Sequence, residues 1–205
     1  AMSTEIMLAE LTPRAGDALL VIDMQQDFLP GGALPVEGGD QLVALINAYL
    51  HAFADRGLPI FASRDWHPAD HMSFKRQGGP WPSHCVVGST GAQWAPGLAW
   101  PASTQVISKG CDREGDAYSA FFETDLAERL QHAGVHRVFV AGLATDYCVL
   151  RTVQDARLLG LGVVLLLDAV AAVDVQAGDG QRAVHQMHGW GVEAACFAEL
   201  FESST

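Results

Sequence analysis

Ala18-Leu-Leu-Val-Ile-Asp-Met-Gln25 is apolar for five residues in succession and breaks at Asp23. Strict alternation would mark a strand with one wet face, whereas an unbroken run marks a strand covered on both faces, as in parallel sheets flanked by helices. The same unit recurs downstream. The Gly/Pro loop Pro30-Gly31-Gly32 leads into an amphipathic stretch over 40–56 that stops at Gly57, and a second strand is read at 59–64. Further strands are expected at 105–108, 137–141, 163–167 and 192–197, with helices at 124–133, 146–159 and 180–188. Strands alternating with helices imply an α/β fold: an open, mainly parallel sheet in a three-layer α/β/α arrangement joined by right-handed crossovers. Residues 66–104 fit no period; they hold four of the five tryptophans and most of the prolines. This stretch is expected to be a long loop excursion, and loops of that length are usually functional.

At 205 residues the chain is the size of one domain, expected over 1–205 with the excursion inside it. Hydrophobic residues make up 49% and charged residues 18%, enough apolar surface to offset the entropy of ordering the chain. Twelve Lys plus Arg against 24 Asp plus Glu give a net charge of -12, which argues against binding a nucleic-acid backbone or an anionic membrane. No apolar run approaches the roughly 20 residues that span a bilayer. The first ten residues lack the basic start and apolar core of a secretory leader. Four cysteines without a CxxC pair suit a reducing compartment. The expectation is a cytoplasmic protein acting on a small molecule.

Open parallel sheets place their sites outside the carboxyl ends of the strands. Three reactive residues fall there: Asp23 closing the first strand, Lys109 after the 105–108 strand, and Cys148 in the first turn of the helix after the 137–141 strand. A thiol at a helix N-terminus meets unpaired N–H groups that favour the thiolate, a nearby ammonium favours it further, and a carboxylate within reach can take its proton. Singly, each has a plainer role as turn cap or core residue. Lys109 is one of only two lysines beside ten arginines, which sets it apart from background composition.

Asp65-Trp66-His67 is the second constellation. Two apart in extended chain, Asp65 and His67 project from one face, and His84 from the excursion supplies a third donor; His71 lies between them. Mixed oxygen and nitrogen donors suit one divalent zinc, iron or manganese ion, with positions left for water and substrate. The alternative is a polar loop of solvated histidines. Cys85 reads as a small buried thiol, and the five remaining histidines as surface residues. Phe28, Trp81 and Tyr118 lie in loops and can clamp a planar ring by stacking; Trp66, Trp94 and Trp100 qualify equally on physics alone.

Val21-Ile-Asp-Met-Gln-Gln-Asp-Phe28, Arg64-Asp-Trp-His-Pro68, Trp81-Pro-Ser-His-Cys-Val86, Lys109-Gly-Cys-Asp112 with Asp116-Ala-Tyr-Ser-Ala-Phe121, and Gly142-Leu-Ala-Thr-Asp-Tyr-Cys-Val149 closely resemble the nicotinamidases of the isochorismatase-like cysteine hydrolase superfamily. The likeness runs from about residue 19 to 197. The Ala-Thr-Asp-x-Cys-Val block is specific to the superfamily, and Asp-Trp-His-Pro with Trp-Pro-x-His points within it to nicotinamidases. The resemblance implies an Asp23, Lys109, Cys148 triad and an Asp65, His67, His84 metal site, with His71 near a position where some relatives place a further ligand. It implies that the metal grips a pyridine nitrogen while Phe28, Trp81 and Tyr118 line the ring pocket. The Leu143–Ala144 peptide resembles one that is cis in the family, aiming the backbone N–H of Ala144, with that of Cys148, at an oxyanion. The implied reaction converts nicotinamide to nicotinate and ammonia through a thioester, in NAD salvage, with pyrazinamide a further substrate. A homo-oligomer is left open. Tyr147 stands where many relatives have His, and Ser83 where a second Pro is common.

Two other readings compete. One is a superfamily hydrolase acting on a different small amide. The other is a flavodoxin-like binding module with an inert thiol, against which Gln25-Gln-Asp-Phe28 offers side-chain amide and carboxylate where a phosphate needs glycine and free N–H groups.

Overall fold

The computed structural model describes residues 9–115 and 117–202; Asp116 of the resemblance motif lies outside them. Its sheet has six strands: β1 (Asp17–Ile22), β2 (Ile60–Asp65), β3 (Gln105–Lys109), β4 (Arg137–Leu143), β5 (Gly162–Ala171) and β6 (Glu193–Ala195). They lie in the order β3-β2-β1-β4-β5-β6 and every pairing is parallel. β1 sits at the centre, with Leu19 opposite Ile60 on one side and Phe139 on the other. All six of its residues are buried, which is why its sequence does not alternate.

Consecutive side chains of β1 feed opposite layers. Leu19 and Val21 join a core with α1 (Val43–Asp55) and α5 (Phe197–Phe201), whereas Ala18, Leu20 and Ile22 join a core with α2 (Leu126–His132), α3 (Leu150–Leu158) and α4 (Asp179–Gly189). The α1 stripe Ile46, Tyr49, Leu50, Phe53 has the 3.6-residue spacing of one helix face. Connections that step from β4 to β5 to β6 carry their helices on the second face, and the step from β1 to β2 carries α1 on the first, as right-handed crossovers on a sheet wound both ways require. The β2 to β3 step also reaches the first face, where Ala95, Leu98 and Trp100 pack against the α1 core; its described residues form no α-helix, only the short 3-10 turns Lys75–Gln77 and Thr90–Ala92. The three-layer expectation is met.

Boundaries differ in places. The stretch read as a helix over 146–159 opens with a π-helical turn, Thr145–Val149, before α3 begins. β5 runs past the expected 167, because its pairing with β4 jumps from Val140 opposite Leu165 to Gly142 opposite Val170. The bulged Asp168 turns its carboxylate to the Tyr49 hydroxyl (2.7 Å) and the Phe197 N–H (2.9 Å). That second bond ties down α5, so the expected strand over 192–197 is cut to three residues and gives way to a short helix. At the carboxyl ends of β1 and β4, Gly142 (φ +113°) lets the strands close up: a Cβ there would lie 2.1 Å from the Ile22 carbonyl oxygen. The next peptide, Leu143–Ala144, is cis. Among the described residues no helix is long and apolar enough to cross a membrane.

Candidate functional site

The strand order reverses between β1 and β4, and a crevice is expected just outside their carboxyl ends. A recessed cavity of about 120 Å³ lies there, lined by Asp23, Cys148, Asp65, His67 and His84 among others. Asp23 reaches it through its backbone. With φ at +51° it leaves the strand in a left-handed conformation, one that Asp tolerates better than most residues. One carboxylate oxygen of Asp23 accepts the Ser63 hydroxyl hydrogen at 2.7 Å, and the other has the Lys109 ammonium 2.9 Å away with no aligned donor of its own.

Lys109 is fully buried and is the hub. Its ammonium donates to Asp65 Oδ1, to the Ala117 carbonyl (2.9 Å) and to Cys148 Sγ (3.5 Å), besides pairing with Asp23. Burial lowers its pKa, but the Asp23 and Asp65 carboxylates together hold it well above the usual lysine value, so the side chain stays a cation. Burial also raises the Asp23 carboxyl, against the pull of Lys109 and the Ser63 hydrogen bond. For Asp65 burial acts in the same direction, yet the Lys109 ammonium beside it holds its carboxyl well below the usual range.

Cys148 sits in the π turn, its thiol buried and pushed well up by burial, with Lys109 opposing and Asp23 adding to the rise. Position at a helix start led to the expectation of a favoured thiolate. Burial outweighs it here, and the resting sulfur is a thiol that needs a base. The Ala144 carbonyl accepts the N–H groups of Tyr147 and Val149, both at 3.1 Å, and not that of Cys148 between them.

Asp65, His67 and His84 offer donor atoms within 4.8 Å of one another, all buried. His67 Nδ1 donates to the Gly110 carbonyl (2.8 Å) and His84 Nδ1 to the Pro82 carbonyl (2.9 Å). Each ring therefore turns an Nε2 lone pair inward, at 3.3 and 3.7 Å from Asp65 Oδ2. One carboxylate and two oriented imidazoles suit a divalent transition metal, and the carbonyl partners supply the outer support such ligands need. His71 stacks on His67 with ring centroids 4.0 Å apart. Its Nε2 donates to the Gly115 carbonyl (2.8 Å) and its Nδ1 faces the Ser73 hydroxyl (2.7 Å), so the geometry brings it against the cluster with both nitrogens committed.

Phe28, Trp81 and Tyr118 all line the cavity. Phe28 tilts against His84 at 5.7 Å, and the Trp81 indole N–H donates to the Tyr118 hydroxyl at 2.9 Å. Trp66 instead lies under the Arg64 guanidinium, and Trp94 and Trp100 pack on each other. Tyr147 lines the cavity too, edge-on to Trp81 at 5.5 Å, joined by the apolar Leu34, Val36 and Val173. The latter three were not singled out from sequence; they carry no chemical signal that separates pocket wall from core. Asp27 was also missed. Its carboxylate accepts the N–H of Cys85, next to the donor His84, across 58 residues of chain.

Fold and site together define a parallel α/β protein in which a buried cysteine, a carboxylate and a lysine stand beside three residues that could hold a divalent metal. The Isochorismatase domain model matches residues 17–201, and the chain belongs to that family. A nicotinamidase from Escherichia coli is 38% identical, the match covering 91% of this chain and 97% of that one. The crystal structure of the pyrazinamidase of Pyrococcus horikoshii in complex with zinc superposes with a TM-score of 0.85 at 44% identity, over 89% of this chain and 99% of that one. An L. infantum protein crystallised with nicotinate gives a TM-score of 0.85 at 41% identity, over 92% of this chain and 97% of that one.

Proposed function

We propose that this chain hydrolyses nicotinamide to nicotinate and ammonia, and pyrazinamide likewise, as a metal-dependent cysteine amidohydrolase. The observation that carries the reading is the sharing of Lys109 between Asp23 and Asp65, which brings a cysteine, a base and a metal cage to one small cavity. Asp23 takes the Cys148 proton, and the thiolate attacks the carboxamide carbon. The backbone N–H groups of Cys148 and Ala144 hold the tetrahedral oxyanion. The C–N bond then breaks as Asp23 returns the proton to the leaving nitrogen, giving ammonia and a thioester. Asp23 next takes a proton from water, whose oxygen attacks the thioester; the C–S bond breaks as Asp23 gives that proton to the sulfur, restoring the thiol, and the product acid leaves as nicotinate with its own proton passing to solvent. Lys109 stays protonated throughout and offsets the charge of Asp23 and the sulfur. Phe28, Trp81 and Tyr118, with Tyr147, hold the pyridine ring by its faces and edges.

Asp65, His67 and His84 would hold zinc, iron or manganese, which supplies a Lewis-acidic position for the ring nitrogen. His71 supports His67 in this reading. We take residues 1–205 as one cytoplasmic domain that binds no nucleic acid, consistent with the net charge of -12. Every proposed site residue comes from one chain, so a homo-oligomer is compatible with the site and not required by it. The reaction suits NAD salvage. The test is ammonia release from nicotinamide by metal-replete protein, run beside Cys148→Ala and a chelated sample. Turnover lost in both controls is expected; no turnover by folded, metal-replete protein would overturn the assignment and leave a different small amide as substrate.

A further inference from the structure

The β1 to β2 ladder outlasts β1 itself. Asp23, turned left-handed, diverts the main chain after Ile22, while β2 continues to Asp65. The Asp65 peptide groups on the β1 side would then face no strand. Gln25 fills the gap with its side chain: Oε1 accepts the Asp65 N–H at 2.8 Å, and Nε2 donates to the Asp65 carbonyl at 2.8 Å. The same Nε2 donates to the Ala92 carbonyl at 2.9 Å, tying the excursion to the end of β2. Gln25 is 0% exposed and does not line the cavity. A buried primary amide with its oxygen and both N–H bonds committed has one orientation, and so does the residue it grips.

Asp65 needs one orientation more than any other residue here, because its two oxygens serve different masters: Oδ1 receives Lys109, and Oδ2 faces His67 and His84. A swing of its backbone would move both at once. We propose that Gln25 is a positioning residue for the metal site, a side-chain surrogate for a missing strand that fixes Asp65 so that one carboxylate serves both Lys109 and the metal. The proposal rests on the metal site of the function proposed above, and it needs no substrate.

The experiment compares zinc affinity by chelator competition, and the visible spectrum of the cobalt-substituted protein, in wild type, Gln25→Met, Gln25→Glu and Gln26→Met. Methionine matches the length and removes every hydrogen bond; glutamate keeps an acceptor for the Asp65 N–H and sets an oxygen against two carbonyls. Gln26, half-buried next door, reaches only the Trp94 carbonyl at 3.4 Å and serves as the control. Loss of an outer support typically weakens metal binding by about tenfold to a hundredfold. That loss, with altered cobalt bands, is expected of both Gln25 variants in protein that keeps its far-ultraviolet dichroism, while Gln26→Met stays within about twofold of wild type. A folded Gln25 variant with wild-type affinity and cobalt bands overturns the proposal, as does an equal loss in Gln26→Met. Because no carboxamide is present in either measurement, a wrong substrate assignment would leave these outcomes unchanged.

Discussion

Replacing Ser63 by alanine removes one hydroxyl from behind Asp23, and Ser63 itself does not line the cavity. Its Oγ donates to Asp23 Oδ1 at 2.7 Å in a fully buried setting, and this bond is one of the effects that lower the Asp23 carboxyl against burial. A hydrogen bond to a charged group contributes about 1.5–3 kcal/mol. The protonated carboxyl still accepts from the hydroxyl, so the difference between the two forms lies at the low end, a factor of roughly ten in the protonation equilibrium, and the Asp23 carboxyl is raised further in the variant. Asp23 acts as a base, so kcat/KM for nicotinamide falls as it protonates, and wild type already does so above the usual carboxylate range. In Ser63→Ala the acid limb should move up, giving roughly tenfold less activity below both limbs and an unchanged plateau above them. The stability cost has the same origin and a defined window. A raised carboxyl costs the fold stability as pH climbs from the unfolded value through the folded one; the additional cost in the variant appears between the wild-type and variant folded values and is constant above. An acid limb that stays in place, or moves down, in the folded variant would refute the assignment of Asp23 as base and the role of Ser63 in tuning it.

Three further outcomes are expected. Arg137 grips the buried Asp17 carboxylate through Nε at 2.8 Å and Nη2 at 2.7 Å, so Arg137→Ala should cost about 3–5 kcal/mol, read as a melting temperature lowered by roughly 10 °C, with turnover normal in the cold. Trp81→Phe keeps an aromatic wall but loses the bond to Tyr118; KM for nicotinamide should rise severalfold with kcat nearly unchanged, and Trp81→Ala should raise it further. Gly142→Ala forces a Cβ to 2.1 Å from the Ile22 carbonyl at a φ of +113°, and should yield little folded protein; a soluble variant with a wild-type melting curve would contradict the close approach of β1 and β4.

The fold was readable because its signals are local. A five-residue apolar run needs two covering layers, and α1 shows its stripe in a single window. The reactive residues stood out for the same reason, each at a strand end where parallel sheets place their sites. The supporting polar residues were not legible. Gln25 bonds a residue 40 positions away, Ser63 another 40 away and Asp27 one 58 away, and in a sequence each looks like an ordinary end to a strand or a loop. α5 escaped notice because five residues are too few to show a period, and its start depends on Asp168 in a bulge that has no sequence signature.

The passage from β2 to β3, whose described residues form no α-helix, separates two kinds of inheritance. Asp23, Lys109 and Cys148 ride at or just beyond strand ends, where any shift would be felt across the sheet, whereas His84 and Trp81 hang from a chain of turns held by a few long-range bonds. Doubling a loop's length adds only about 0.6 kcal/mol to its closure cost. Descendants of such a scaffold can therefore lengthen, shorten or strip that segment, exchanging the guest they recognise, while the acyl-transfer apparatus beneath stays where it was.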